Sequence, residues 1–224
     1  MRRKLLAALF LLLLVVASVA GAEGRVVFLD GEVRIVRDGA SSAAEIGSPL
    51  ATEDVLETGP AATAIVDLGN GVELKLRENT RTRIASLEER SRVDLERGGL
   101  FALVRRVFRG SFSVNTRTVV AGVRGTQFFM AYGRSIEERP DVWLCVNEGT
   151  VNVAASPVDG GAGGERLVRA GEGINILAGT ELTEPQFYDW TRDLNWNMDP
   201  EEGEVFDDTD LDQAYSDLLD QDYE

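Results

Sequence analysis

Few residues in this chain carry side chains suited to covalent or acid–base chemistry. There is no histidine, and Cys145 is the single cysteine. Without imidazole, His-based triads, Cys–His dyads and imidazole metal sites are excluded. Cys145 lies in DVWLCVNEG, an apolar run of strand character, and reads as a small buried hydrophobe rather than an activated thiol. Being alone, it forms no intramolecular disulfide. The 38 Asp and Glu residues could supply paired carboxylates of the glycosidase kind, but they are so abundant that no pair stands out. No nucleotide fingerprint or serine elbow appears. The glycine-rich stretch DGGAGGERL (159–167) reads as a flexible loop, and it lacks the following helix and lysine that a phosphate cradle needs. The expectation is a protein that is not an enzyme and that uses no metal or cofactor.

The densest constellation is SFSVNTRTVVAGVRGTQFFMAYG (111–133). Ser111 to Thr116 and Thr118 to Val123 read as strands, and Gln127 to Tyr132 as a strand with apolar groups on both faces. Gly122 and Gly125 allow tight backbone geometry around Arg124. A buried Arg124 would need a carboxylate or carbonyl partner. It is read as stapling two turns, with ligand binding as the alternative.

The elements that must hold this block are strands. Val72, Leu74 and Leu76 alternate with Glu73, Lys75 and Arg77, and the same period of two recurs at Phe112–Val114, Val151–Val153 and Ile174–Ile176. Asn70-Gly71 is a strong hairpin cue, because both positions favour positive φ. IASLEERSRVDLERGG is read as two strands rather than a short helix.

The pattern changes after Leu177. Thr183-Glu184-Pro185-Gln186 has capping-box spacing with proline in the first turn, which predicts a helix. Phe187, Trp190 and Leu194 would share one face of it, closing one end of the β domain or forming an aromatic platform. From Asp199 to Glu224 there are twelve acidic residues and no Lys or Arg, a composition that predicts solvated disorder. Yet Leu211, Tyr215, Leu218 and Leu219, with Ala214, fall on one helical face, too short to stand alone. That stripe is read as a docking element, folding on a partner or on the domain itself. An EF-hand counted from Asp208 fails, with Gln213 where glycine is needed and Leu219 where glutamate is needed.

At the other end, Arg2, Arg3 and Lys4 precede an apolar run from Leu5 to Ala20 that is broken only by Ser18. Ala20-Gly21-Ala22 then offers a cleavage site, with Ser18-Val19-Ala20 as a second option. This is a signal peptide pattern, and its apolar run is short of a bilayer span. No cysteine lies there to take a lipid. The formal charge of −15 becomes more negative by three once the signal is removed. Such a chain repels phosphate backbones and anionic lipids, so no nucleic-acid partner is expected and a membrane contact only through an uncleaved signal. The expected organisation is a signal peptide (1–22), a β domain (23–180), a capping helix (181–198) and an acidic tail (199–224).

TVVAGVRGTQFFM (118–130) resembles the hallmark of the FecR family, in which a Thr-rich strand leads into V-R-G-T-x-F. Its positions here are Thr116, Val123, Arg124, Gly125, Thr126 and Phe128, expected to be structural. GEVRIV, LETGPAATAIVDLGNGVELKLRENT, LERGGLFALV, VNEGTVNV and VRAGEGINI resemble the rest of the family pattern in order, from Val26 to Leu177. The resemblance implies an all-β domain, a short twisted solenoid-like or sandwich fold. Iron-signalling members place an anti-sigma segment before a membrane helix, whereas only Met1 to Lys4 precede the apolar run here. The helix–sheet module after the domain in such sensors is replaced by the short helix and acidic tail. The expected role is an exported binding or scaffold module whose partner is another envelope protein or a cell-wall component. The alternative is the periplasmic component of an iron-uptake-type signalling system.

Overall fold

The computed structural model describes residues 24–105, 110–123, 125–136, 139–155, 164–177 and 181–211. These build two β-sheets around a shared core. In the first, called sheet A, β1 (Gly24–Asp30) pairs with β4 (Pro49–Leu50) on one side and β6 (Thr63–Asp67) on the other. From β6 the sheet continues through β7 (Val72–Leu76) and the second half of β9 (Arg90–Val104). It then runs through β12 (Thr126–Ile136), β13 (Arg139–Glu148) and β16 (Glu172–Leu177), which carries the short strands β17 (Glu181–Leu182) and β18 (Gln186–Phe187). Sheet B begins with β3 (Ala40–Ala43), β2 (Val33–Arg37), β5 (Val55–Thr58), β8 (Arg81–Ser86) and the first half of β9. It ends with β10 (Ser111–Asn115), β11 (Val119–Val123), β14 (Thr150–Ala155) and β15 (Gly164–Arg169).

The chain hops between the sheets and advances the same way along both. The two expected descriptions therefore meet in one fold: a winding of hairpins flattened into a two-sheet sandwich. Alternation fixes which side chains go inside. Val33, Ile35, Leu56, Ile84 and Val93 from sheet B meet Val66, Leu74, Leu100, Phe128 and Leu144 from sheet A in one apolar cluster. Each large side chain there contributes about 1.5–3 kcal/mol by leaving water.

One strand joins the layers. β9 pairs with β8 in sheet B up to Arg97, and from Leu100 onward with β7 in sheet A. The change of layer falls at Gly98, whose φ is +87°, and a Cβ there would sit 2.5 Å from Thr80 Oγ1. Thr80 Oγ1 donates to Gly99 O and accepts from Gly99 N, both at 3.0 Å, which pins the bend. Because β9 leaves sheet B before the chain returns to it, β10 can lie parallel to the first half of β9, the one parallel pairing among the described strands.

Between β6 and β7, Asn70 and Gly71 both have positive φ, as the hairpin cue predicts, and Gly69 adds a third such residue. β8 and β9 bear out two strands where a helix competed. Of the loop expected at 159–167, the residues from Gly164 onward belong to β15, and 159–163 lie outside the described residues.

The helix predicted from Thr183 is absent. Glu181 and Leu182 pair with β16, and Thr183 donates from both N and Oγ1 to Asn175 O, so the segment is held as sheet edge. A single 3-10 turn, Asp189–Arg192, is what remains of it. Phe187 and Leu194 do not share a face as expected: Phe187 is 76% exposed and Leu194 is buried. The side chain of Trp190 lies outside the description.

Candidate functional site

The outer face of sheet A carries an apolar patch of its own. On β9, β12 and β13 the residues between the core positions are Phe101, Phe129, Ala131, Trp143 and Cys145, all buried. Phe101 and Phe129 lie tilted with ring centres 4.7 Å apart, and Phe129 meets Trp143 edge-on at 6.1 Å. What covers them is the chain after β18. Tyr188, Leu194 and Met198 complete this second cluster, and the edge of Trp196 closes on Phe101 at 5.3 Å. Gly173 on β16 has no side chain because Tyr188 Cδ2 comes within 2.9 Å of where its Cβ would be.

Residues 195–209 cross this face as a strap, and polar groups of the sheet hold it by its main-chain carbonyls. Lys75 is 1% exposed; its Nζ donates to Asn195 O at 2.5 Å and Asn197 O at 2.8 Å, and sits 4.2 Å from the centre of the Phe101 ring. That combination of carbonyls and ring face stabilises a cation that burial disfavours. Burial pushes the ammonium down to about 8, with Asp207 pulling it up and Arg77 pushing it down. Gln127 Nε2 donates to Trp196 O at 2.8 Å, and its Oε1 accepts from Asn147 Nδ2 at 2.7 Å, which fixes the amide. Arg77 donates from Nη2 to Asp207 O at 3.2 Å and Thr209 O at 2.8 Å, and its Nε lies 3.0 Å from Asp207 Oδ2.

Asp207 organises the strap from its own side. Its Oδ1 accepts from Asn195 N at 2.9 Å and from Thr209 Oγ1 at 2.8 Å. Asn195 Nδ2 in turn donates to Glu204 O and Phe206 O, folding the strap back on itself. Burial pushes the Arg77 guanidinium down, and the Asp207 charge pulls it back up. Burying such a pair is tolerable because Arg77 Nη2 and Asp207 Oδ1 have hydrogen-bond partners, while Nε and Oδ2 meet only as opposite charges, outside hydrogen-bonding geometry.

The first part of the acidic segment is therefore ordered, not a solvated tail. Val205 is 2% and Asp207 5% exposed. Of the predicted docking stripe, Leu211 is half-buried against the outer cluster of sheet A. Tyr215, Leu218 and Leu219 lie outside the described residues, as do Arg124 and residues 1–22, where a signal peptide is expected.

The motif residues gather where the chain passes from sheet B to sheet A. Thr116 Oγ1 accepts from Thr118 N and Val119 N, closing the turn into β11. Val123 ends β11 in the core, Gly125 turns with φ +66°, and Thr126 starts β12 buried beside Gly149. Phe128 is a core residue. Their surroundings are those of a structural crossing. Lys75, Arg77, Gln127 and Asp207 escaped the sequence reading, since alternation assigns Lys75 and Arg77 to the polar face and acidic composition assigns Asp207 to water. Their one signal was the apolar character of 101–103, 129–131 and 143–145, which requires a cover.

The family described as FecR protein matches residues 54–152. That stretch, somewhat under half of the chain, is what resembles a FecR domain. The match runs from the loop before β5 into β14, so the strap lies beyond it. Among solved structures, two crystal structures of a candidate anti-sigma factor from Parabacteroides distasonis are similar, each 21% identical with a TM-score of 0.49. In each case 60% of this chain is covered, and the chain spans about three-fifths of the length of that protein. Among curated proteins none matches. No helix among the described residues is long and apolar enough to cross a membrane.

Proposed function

We propose that this FecR-domain protein is an exported, non-enzymatic component of a regulatory system of the cell envelope, working by binding another envelope protein. The observation that carries the reading is the FecR family match over β5 to β14. It favours a signalling component over a passive scaffold. Export follows from the signal peptide pattern of residues 1–22. The motif crossing at Gly125 and Thr126 keeps the two sheets in register, and contact with the partner falls to surfaces outside that crossing.

Transcript profiling of a strain lacking the gene tests the regulatory role. A discrete set of genes should change several-fold and return on complementation. An unchanged profile would leave scaffolding as the role. Export has its own check: N-terminal sequencing of the mature protein should begin at Gly21 or Glu23, and an intact Met1 would contradict it.

A further inference from the structure

We propose that the outer face of sheet A is a peptide-binding surface, filled here by the chain's own residues 195–209, which an extended acidic segment of a partner protein enters in their place. That the partner belongs to an envelope signalling system rests on the reading above; the binding does not.

The way the strap is held supports exchange. Lys75, Gln127 and Arg77 together take the carbonyls of residues 195, 196, 197, 207 and 209. Every extended peptide offers carbonyls, so these contacts recognise a main chain and not one sequence. The side-chain demands are few: a carboxylate for Arg77, met by Asp207, an aromatic ring for Phe101, met by Trp196, and apolar fillers, met by Met198 and Val205. Among the described residues, none of 195–209 is paired in a strand, so the strap can lift while every ladder of sheet A stays intact.

The chemistry of the face selects the occupant. A permanent seal is made at least as stable by apolar side chains as by buried ions. With the strap lifted, Lys75 and Arg77 would stand on an aromatic surface and favour any segment that brings carbonyls and a carboxylate. The strap meets that demand imperfectly. From 199 to 210 the segment holds seven acidic residues and no basic one, against the two buried cations Lys75 and Arg77 of the sheet. Asp208 and Asp210 add attraction to Arg77, but seven like charges within twelve residues also repel one another, which weakens the closed state. Solvent reaches both edges of the strap. A cleft of about 750 Å³ lies between Gly98, Tyr132, Phe206 and Leu211, and one of about 860 Å³ between Arg105, Glu148, Trp196 and Glu201.

A fluorescein-labelled synthetic peptide of residues 195–211 serves as the probe, titrated with the full chain at low salt and followed by anisotropy. The cis strap competes with it, so the wild type should bind weakly. Asp207→Ala in the full chain should bind it at least tenfold more tightly, and Arg77→Met added to that variant should abolish the gain. The peptide carrying Asp207→Asn should bind at least tenfold more weakly than the parent peptide. Circular dichroism checks that each variant keeps its sheet. If Asp207→Ala fails to fold, Asn195→Ser loosens the strap without touching sheet A, and if both fail the strap is an obligatory part of the fold and the proposal falls. It also falls if a folded variant binds no peptide, or binds a scrambled neutral peptide equally well. Dimers of the wild type at micromolar concentration, seen by light scattering, would assign the face to a second copy instead. Peptide binding and the transcript profile can each fail without the other, so the two readings are separable.

Discussion

Sheet B leaves its outer face to water, whereas sheet A covers its outer face with the chain's own C-terminal segment. On sheet B the exposed positions form a cross-strand ladder of charge. Arg81 stands opposite Glu57 and also reaches Glu96 at 2.6 Å, while Arg83 joins Asp94 on β9 and Glu53 at 2.8 Å. These pairs are solvated, adjustable and individually weak. On sheet A the basic residues at equivalent alternating positions, Lys75 and Arg77, are almost fully buried and bind main chain. The same residue type at the same period therefore plays two different parts. What separates them is whether a distant segment arrives to remove water.

Substitutions that ignore this difference should do the most damage. Gly98→Val affects both sheets at once, since its Cβ would lie 2.6 Å from Thr80 Cα in a left-handed backbone. A loss of about 3 kcal/mol or more, read from urea midpoints, is expected. Gly125→Val, also at positive φ, should follow with a smaller loss. An unchanged midpoint at Gly98 would mean the two layers are not joined through that bend.

A matched pair sharpens the comparison. Lys75→Met leaves two carbonyls of the strap without their donor, and should lose about 2–4 kcal/mol. Arg83→Met, on the solvated ladder, should lose under about 1 kcal/mol. Equal losses would erase the distinction between the faces.

The most gradual effect is a pH dependence carried by Lys75 of sheet A. The folded Lys75 value of about 8 lies below its ordinary 10.5. Between these values the unfolded chain holds more protons, so stability should rise with pH there, by at most about 1.4 kcal/mol per unit. Below that window Lys75 is protonated in both states and adds no slope. Urea midpoints of the wild type should gain on those of Lys75→Met between pH 8 and 10. A constant difference would show the carbonyls and the Phe101 ring holding the ammonium at its ordinary value.

The legible part of the fold was the part written in local alternation. Val72 to Leu76, the Asn70-Gly71 turn and the double-sided strand at 127–132 all followed from short-range pattern and turn chemistry. The strap did not, for two reasons. Lys75 and Arg77 satisfy carbonyls more than a hundred residues away, a pairing with no local signature. The acidic composition after Asp199 speaks for water, and is outweighed by one carboxylate, Asp207, meeting one buried guanidinium. The helix expected at Thr183 failed for a related reason. Capping spacing describes how a helix would begin, but β16 offered an open edge, and Glu181 to Phe187 took it. Of the motif block, the strands and the turn glycine were readable, and the buried clamp beside them was not.

Cys145 lies under the strap, fully buried against Phe129, and both burial and the Asp207 charge push its thiol up. It is the only sulfhydryl in the chain. Oxidants and alkylating agents reach it only after the cover has lifted, because the thiolate that reacts with them forms in water and not in an apolar cluster. Its rate of modification is thus a stopwatch for the C-terminal segment. In an oxidising compartment the chemical ageing of this protein would be timed by how often a run of acidic residues, far along the chain, lets go of a lysine and an arginine.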